Sequence, residues 1–114
     1  MKTSTKNCGI SQVMSLLGGK WRLLILWRIH QHEGVRFNEL KRNVAGITNV
    51  MLTRCLTDLI SFGFVIKKDF QTIPPHVEYY LTEQGKSFLP VMESMNVWGQ
   101  EHLVNKSALQ KDKS

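Results

Sequence analysis

The chain contains two cysteines, and their thiols are the side chains most open to covalent chemistry. Cys8 directly precedes a helical pattern, and a thiolate at a helix N-terminus is stabilised by the helix dipole and gains reactivity toward oxidants and electrophiles. Two interpretations follow for Cys8, a redox-sensing residue or an inert small apolar residue near an interface. Cys55 lies beside an apolar helical stripe, so we expect partial burial and a structural role. A disulfide between them stays open, because sequence does not supply the required Cα separation.

A second group of side chains has the chemistry for contacts with the edges of DNA bases. It occupies the outer side of a helix predicted to begin at Thr48, whose apolar stripe faces inward. Asparagine and arginine can form bidentate hydrogen bonds with adenine and guanine, and the methyl groups of valine and threonine suit the thymine methyl. The alternative is that these are ordinary solvent-facing residues. The group consists of Thr48, Asn49, Val50, Thr53, Arg54 and Thr57.

A third group is basic and suits contacts with phosphates. The formal net charge of +6 and the sequence pI of about 9.6 favour a polyanionic partner. The alternative is a solvated charged face, partly offset by Glu33, Glu39, Asp58 and Asp69. The predicted DNA-facing basic patch consists of Arg36, Lys41, Arg42, Lys67, Lys68 and His76.

The sequence does not indicate a metal site or a catalytic site. His30 and His32 point to different sides of a helix, and His76 and His102 join no ligand cluster. There is no phosphate-cradling glycine loop, no nucleophile elbow and no pair of carboxylates beside a base. Catalysis by the Cys8 thiol would require an adjacent base or another activating environment. We therefore expect no metal, no cofactor and no enzymatic activity.

Two helices are predicted first among the elements that position these side chains. Apolar residues from Ile10 to Leu17 repeat at helical spacing, and this pattern stops at Gly18-Gly19. A second helix, from Lys20 to about Gln31, is apolar almost all round, so we expect it in the centre of the fold.

A helix-turn-helix follows. Val35 to Phe37 is short and compatible with a strand, and Asn38 can cap a third helix that stops at Ala45-Gly46. Thr48 can cap a fourth helix, which Gly63 closes. Two short helices joined by a glycine-containing turn are typical of this motif.

A β-hairpin is predicted after the fourth helix. The segments from Phe64 to Phe70 and from His76 to Leu81 are strand-like in composition. Pro74-Pro75 cannot donate ladder hydrogen bonds, so these prolines must lie in the hairpin loop or at its edge. This hairpin, from Lys67 to His76, is the candidate wing.

The last helical pattern begins at Thr82 and carries much apolar surface. Because proline disrupts the interior of a helix, Pro90 predicts either a bend near Phe88 or a new helix that begins with Pro90 in its first turn. A compact winged domain cannot easily cover this surface, which favours a dimer. The alternative is packing against the helix of Trp21 in the same chain, and we expect some residues to do both. The predicted dimer interface consists of Ile10, Val13, Phe88, Leu89, Met92, Met95 and Trp98.

This order of elements predicts a mainly α fold with a small β-hairpin (α+β), a winged helix-turn-helix. The length of 114 residues suits one domain, which we assign to residues 8–105. Residues 1–7 are expected to form a flexible N-terminal arm and residues 106–114 a polar C-terminal tail. The arm lacks the apolar stretch of a signal peptide, and the longest apolar run is only Leu23 to Trp27. We therefore expect a cytoplasmic protein without membrane association.

These motifs resemble those of the HxlR-type winged-helix regulators, relatives of the MarR-type family, from Cys8 to about Trp98. The resemblance implies a dimer made by the N- and C-terminal helices and a regulator of nearby genes, often responsive to electrophiles, oxidants or small metabolites. Cys8 occupies the position of the regulatory cysteine of many members, although Gly9 replaces the proline that often follows it. Cys55 stands where relatives commonly place a basic residue. The matching motifs are Cys8, Leu17-Gly18-Gly19-Lys20-Trp21, Arg36-Phe37-Asn38-Glu39-Leu40, Gly46-Ile47-Thr48, Leu52 with Leu56 and Leu59, Pro74-Pro75-His76-Val77-Glu78-Tyr79, Leu81-Thr82 and Gly85.

Two functions are compatible with these patterns. The first is a sequence-specific transcriptional regulator that binds double-stranded operator DNA as a homodimer and responds to an oxidant or electrophile through Cys8. The alternative is a winged-helix protein–protein interaction module without specific DNA binding, because the fold alone does not guarantee DNA binding. Substitution of Arg36 and Arg54 would distinguish them, since only DNA binding requires the basic face.

Overall fold

The computed structural model describes residues 8–104, so the predicted arm at residues 1–7 and tail at residues 106–114 lie outside the described residues. The predicted class, mainly α with a two-stranded antiparallel hairpin, is confirmed. Within residues 8–104, no helix is both long and apolar enough to span a membrane. The elements are α1 (Gly9–Leu17), α2 (Arg22–Gln31), α3 (Phe37–Asn43), α4 (Asn49–Ser61), β1 (Val65–Asp69), β2 (Val77–Leu81), α5 (Glu83–Ser87), α6 (Leu89–Gly99) and a π-helical turn (Gln100–Val104).

Helix α2 is the centre of the core, as its apolar surface predicts. Ile25, Leu26 and Ile29 are fully buried, and α2 packs against α3, α4 and β2. The helix begins two residues later than expected, at Arg22, because the chain is still turning at Gly19, where φ is +89°. Burying one large aliphatic side chain stabilises a fold by about 1.5–3 kcal/mol, so these residues dominate the stability of this region.

The turn between α3 and α4 is fixed by a cap and by two buried residues. The Met51 N–H donates to Thr48 Oγ1 at 3.1 Å, which confirms Thr48 as the N-cap of α4. Val44 and Ile47 are buried on either side of Gly46, whose φ of +86° suits glycine. This turn therefore sets the angle at which α4 leaves α3.

Two expectations at the start of α3 are wrong. Arg36, not Asn38, holds the N-cap position, and Asn38 lies within the first turn of the helix. The strand expected at Val35 to Phe37 is reduced to one bridge, in which the Tyr79 N–H donates to the Val35 carbonyl at 2.9 Å. The chain turns into the helix directly after this bridge, because Phe37 then packs against the core instead of continuing the strand.

The hairpin is anchored at its base and exposed toward its tip. β1 and β2 pair antiparallel along their whole length. Val65 at the start of β1 is buried, and the four residues after it are exposed. The Phe70 N–H donates to the His76 carbonyl at 2.9 Å and closes a loop that contains Pro74-Pro75, as predicted.

The C-terminal helices start as the sequence predicts. Thr82 Oγ1 accepts a hydrogen bond from the Gly85 N–H at 2.9 Å, and the Thr82 hydroxyl donates to the Gly63 carbonyl at 2.6 Å. The chain turns at Phe88, and α6 restarts there with Pro90 in its first turn, where its missing N–H needs no helical partner.

Gly85→Ala is expected to destabilise the fold by about 1–3 kcal/mol, the usual effect of overpacking a filled site. A Cβ at this position would lie 2.3 Å from the Phe64 carbonyl oxygen, a backbone atom that cannot rotate away. Gly99→Ala is the matched control, because a Cβ there meets nothing within 4 Å. Thermal unfolding followed by circular dichroism measures both. An unchanged midpoint for Gly85→Ala would contradict this packing.

Candidate nucleic-acid interface

Helix α4 presents one buried face and one exposed face. Leu52, Cys55, Leu56 and Leu59 are buried against the core. The residues predicted for contact with bases lie on the opposite side and are all exposed, with Val50 exposed to 74%. They are Thr48, Asn49, Val50, Thr53, Arg54 and Thr57.

The polar side chains on this face differ in whether they form hydrogen bonds within the protein. Within the described part of the chain, the Asn49 and Arg54 side chains have no hydrogen-bond partner in the protein, so their donors are open to solvent. The Thr57 hydroxyl donates to the Thr53 carbonyl at 2.9 Å, a bond inside the helix. Asn49 and Arg54 are thus the groups of α4 most free to bind an external ligand.

An ion pair joins α4 to α2. Arg22 Nη2 lies 2.8 Å from Asp58 Oδ2, and Arg22 Nη1 donates to the Leu16 carbonyl at 3.1 Å. The guanidinium also lies 5.2 Å above the Phe62 ring. Asp58 does not offset the basic patch as expected, because this carboxylate is already paired with Arg22 and so leaves the charge of Arg54 uncompensated at this point.

Basic residues gather where α3 meets the hairpin. Arg36 and Arg42 line an open cleft of about 540 Å³ together with Pro75 and Val77. The Arg36 Nη2 group donates to the Pro75 carbonyl at 3.1 Å and so connects the start of α3 to the hairpin loop. Lys41, the other predicted basic residue of α3, is half-buried.

The two lysines of the hairpin are exposed on β1, as predicted. Lys67 lies opposite Tyr79 and Lys68 opposite Glu78 in the register. Lys68 Nζ lies 5.1 Å above the Phe70 ring, close to the loop. Both ammonium groups are therefore available on the projecting part of the hairpin.

His76 belongs to a polar network that sequence reasoning missed. His76 Nε2 lies 2.6 Å from Glu78 Oε2, and the Tyr80 hydroxyl donates to the other Glu78 oxygen. The bond from Tyr80, followed by the bond from His76, lowers the pKa of Glu78. His76 lies directly before β2, and Glu78 and Tyr80 lie within it; this alternation places the three side chains on one face and could have revealed the network. His76 is thus engaged within the hairpin, unlike the two lysines.

The two thiols have opposite character. Cys8 is the N-cap residue of α1, and the backbone N–H and hydroxyl of Ser11, followed by the Ile10 N–H, lower the pKa of its thiol. Cys55 is 5% exposed, so it is buried more fully than the partial burial expected, and burial raises its pKa more than the nearby Arg22 lowers it. Both are free thiols. The surroundings thus favour the thiolate at Cys8 and the neutral thiol at Cys55.

The predicted dimer residues fall into three groups. Ile10, Val13, Met95 and Trp98 are exposed. Phe88 and Leu89 are partly buried and pack against the core of their own chain. Met92 is only 3% exposed, so it fills the core of the protomer and does not present the free apolar surface that the prediction gave it.

No group of three or more potential metal ligands occurs among residues 8–104.

Comparisons with known proteins agree with this geometry. A family model described as HxlR-like helix-turn-helix matches residues 16–107. The proposed regulatory protein MalR of Fusobacterium mortiferum is 39% identical over 95 residues, which are 83% of this chain and 90% of that protein.

Solved structures show the same fold at similar levels of identity. A proposed MarR-family transcriptional regulator from Porphyromonas gingivalis W83 has a TM-score of 0.80 and 37% identity, covering 86% of this chain and 95% of its own. The redox regulator HypR in its oxidised form has a TM-score of 0.78 and 34% identity, covering 83% of this chain and 97% of its own. Because the family model matches most of the chain, this protein belongs to the HxlR family of helix-turn-helix transcriptional regulators.

Proposed function

We propose that this regulator binds operator DNA by inserting the exposed face of α4 into the major groove. The observation that carries the proposal is the pair of unengaged polar side chains, Asn49 and Arg54, on an exposed helix face whose other side is locked into the core. A major groove about 12 Å wide admits one α-helix, and these two side chain types form bidentate bonds with adenine and guanine. Val50 adds a methyl surface for thymine.

The residues around α4 supply contacts with phosphates. Arg36 and Arg42 in the cleft beside the hairpin, and Lys67 and Lys68 on β1, are exposed cations on the two elements that flank α4. Each cation that neutralises a phosphate releases counterions and adds to the salt dependence of binding. We assign His76 an indirect role, because its ring is engaged with Glu78.

We further propose that the active form is a homodimer built from α1 and α6. Exposed apolar side chains concentrate on these two helices, including Ile10, Met14, Met95 and Trp98. Exposed apolar surface of this extent on a small domain usually marks an interface. A two-fold dimer presents two copies of α4, which suits an operator with two half-sites.

Cys8 is the proposed sensor of oxidants or electrophiles. Its lowered pKa increases the thiolate fraction, the nucleophilic form of the thiol. With a peroxide, the thiolate sulfur attacks one peroxide oxygen, the O–O bond breaks, and a sulfenate forms as the other oxygen leaves as water or an alcohol. The structural likeness to the redox regulator HypR supports this role. We propose that the change at the start of α1 reaches operator affinity through the dimer interface.

Arg54→Lys tests the proposed base contact. Lysine keeps the charge but loses the planar pair of donors, so binding to a duplex selected from a random pool by the wild-type protein should weaken by about 1–3 kcal/mol. Binding to random duplex should change little. Lys86→Ala, at an exposed lysine of α5, is the control and should bind both duplexes as the wild type does. Equal losses on selected and random DNA would contradict a base contact by Arg54.

Trp98→Glu tests the proposed dimer. The wild-type protein should sediment at twice the 13.1 kDa mass of the chain, and the variant at the single mass, because a carboxylate cannot be buried unpaired in an apolar interface. Val50→Glu, at an exposed apolar residue of α4 outside the proposed interface, should stay dimeric. A monomeric wild type, or a dimeric Trp98→Glu, would rule out this interface.

The difference between the two thiols gives a prediction for their pH dependence. The lowered pKa of Cys8 means that its thiolate forms at lower pH in the folded protein than in the unfolded chain. Alkylation by iodoacetamide should therefore begin at lower pH in the native protein than in urea, and the Cys8→Ser variant should lose this fast phase. Cys55→Ser is the control and should retain it. Unchanged operator affinity after full Cys8 modification, verified by mass, would exclude the sensor role.

A further inference from the structure

Three sulfur-containing side chains line one cavity of about 440 Å³, between α4 and the turn that joins α1 to α2. They are Met14 of α1 and Met51 and Cys55 of α4. The absence of metal-ligand groups noted above concerns histidine, cysteine and carboxylate side chains among residues 8–104. The thioether of methionine is a ligand for soft metals, so this cavity has a chemistry that such groups do not represent.

Met51 and Cys55 lie one turn apart on α4. Residues four positions apart share one face of a helix, with their Cβ atoms about 5–6 Å from each other. Cys55 is buried, and Met51 is half-buried and packs against the core. Core packing therefore holds two of the sulfur-containing side chains at the same wall of the cavity.

Met14 supplies the third sulfur from α1. Its terminal methyl carbon lies 3.2 Å from the point that a Cβ at Gly18 would occupy, and Gly18 also lines the cavity. Because glycine has no side chain, Met14 has room to lie beside the cavity. Its side chain is 56% exposed and unbranched, so it can move toward the wall that α4 forms.

The charges around the cavity favour a monovalent ligand. Arg22 is paired with Asp58, whereas Lys20 and Arg54 are exposed cations. A monovalent ion that binds Cys55 replaces the thiol proton: the S–H bond breaks, an S–metal bond forms, and the proton leaves to solvent. The net charge of the cavity then stays unchanged. A divalent ion would instead add a positive charge beside two cations.

The cavity offers few ligands to a harder metal. Its carboxylate, Asp58, lies 2.8 Å from the Arg22 guanidinium, and no histidine of residues 8–104 lines the cavity. Zn²⁺ would find one thiol without the nitrogen ligands or further thiolates that it prefers. Thioether and thiolate ligands together select Cu(I).

We propose that this cavity binds one Cu(I) ion through the sulfur atoms of Met14, Met51 and Cys55. The ligands come from α1, the proposed dimerisation helix, and from α4, the proposed DNA-contacting helix. A bound ion therefore joins the two helices, and the affinities for Cu(I) and for operator DNA change each other reciprocally. This regulatory part rests on the DNA binding proposed above, whereas the metal site does not.

Cu(I) binding can be measured under argon, with ascorbate as reductant, by competition with a coloured Cu(I) chelator. The Cys8→Ser protein is the parent, because this substitution removes the other thiol of the chain. Native mass spectrometry should show one ion per chain. Met14→Leu and Met51→Leu should each weaken binding about tenfold, a free energy of ~1.4 kcal/mol. Leucine keeps nearly the volume of methionine but has no sulfur.

Met95→Leu is the matched control, because Met95 is 51% exposed, close to the value for Met14, but lies on α6 outside this cavity. It should bind Cu(I) as the parent does. Ag(I) should compete with Cu(I), and Zn²⁺ at the same concentration should not. If Met14→Leu and Met51→Leu both bind like the parent, or if Met95→Leu loses as much, the site is overturned. Equal competition by Zn²⁺ would overturn the assignment to a soft monovalent ion.

A DNA titration separates the metal site from its regulatory effect. With a duplex selected from a random pool by the metal-free parent, Cu(I) should change operator affinity about fivefold or more. The same Cu(I) concentration should leave the Met14→Leu, Met51→Leu double variant unchanged. If the parent binds Cu(I) but keeps its operator affinity, only the regulatory part is overturned. If no duplex is enriched over random DNA, the proposed DNA binding fails, and the chelator competition still decides the metal site.

Discussion

The burial of one face of α4 against α2 determines where every candidate DNA-contacting group of that helix lies. Leu52, Leu56 and Leu59 each contribute about 1.5–3 kcal/mol through burial. The Arg22–Asp58 ion pair, with both side chains about 30% exposed, belongs to a class worth about 0–1 kcal/mol. The apolar contacts therefore hold the helix in place and determine which face it exposes, and the ion pair neutralises the Asp58 carboxylate beside that face.

The sequence predicted those features that depend on neighbouring residues. Thr48 and Thr82 cap their helices through bonds to residues three positions away, and Pro90 restarts α6, because these effects act within one helical turn. The pairing of Asp58 with Arg22 was not predictable, since 36 positions separate them and only the packed fold brings them together. The misplaced cap of α3 has the same origin, because the bridge from Val35 to the distant Tyr79 decides where the helix begins. Effects between neighbouring residues thus predicted where the candidate interface lies. Contacts between residues far apart in sequence determine which of its charged side chains are paired within the protein.

The two cysteines show how position within a helix changes one chemical group. At the start of α1, Cys8 meets N–H and hydroxyl donors that stabilise its thiolate. In the middle of α4, Cys55 meets apolar neighbours, so its neutral form is favoured. A basic residue at this position would require solvent for its charge. The cysteine instead completes the buried stripe of α4 without placing a charge in the core.

The bond between Arg36 and the Pro75 carbonyl joins α3 to the hairpin loop without exhausting the guanidinium, which has five N–H donors. The remaining donors can bind a phosphate while the first stays in place. This bond therefore links the helix-turn-helix to the hairpin in the free protein. One side chain can thus serve both the attachment of the hairpin loop to α3 and a contact with a phosphate.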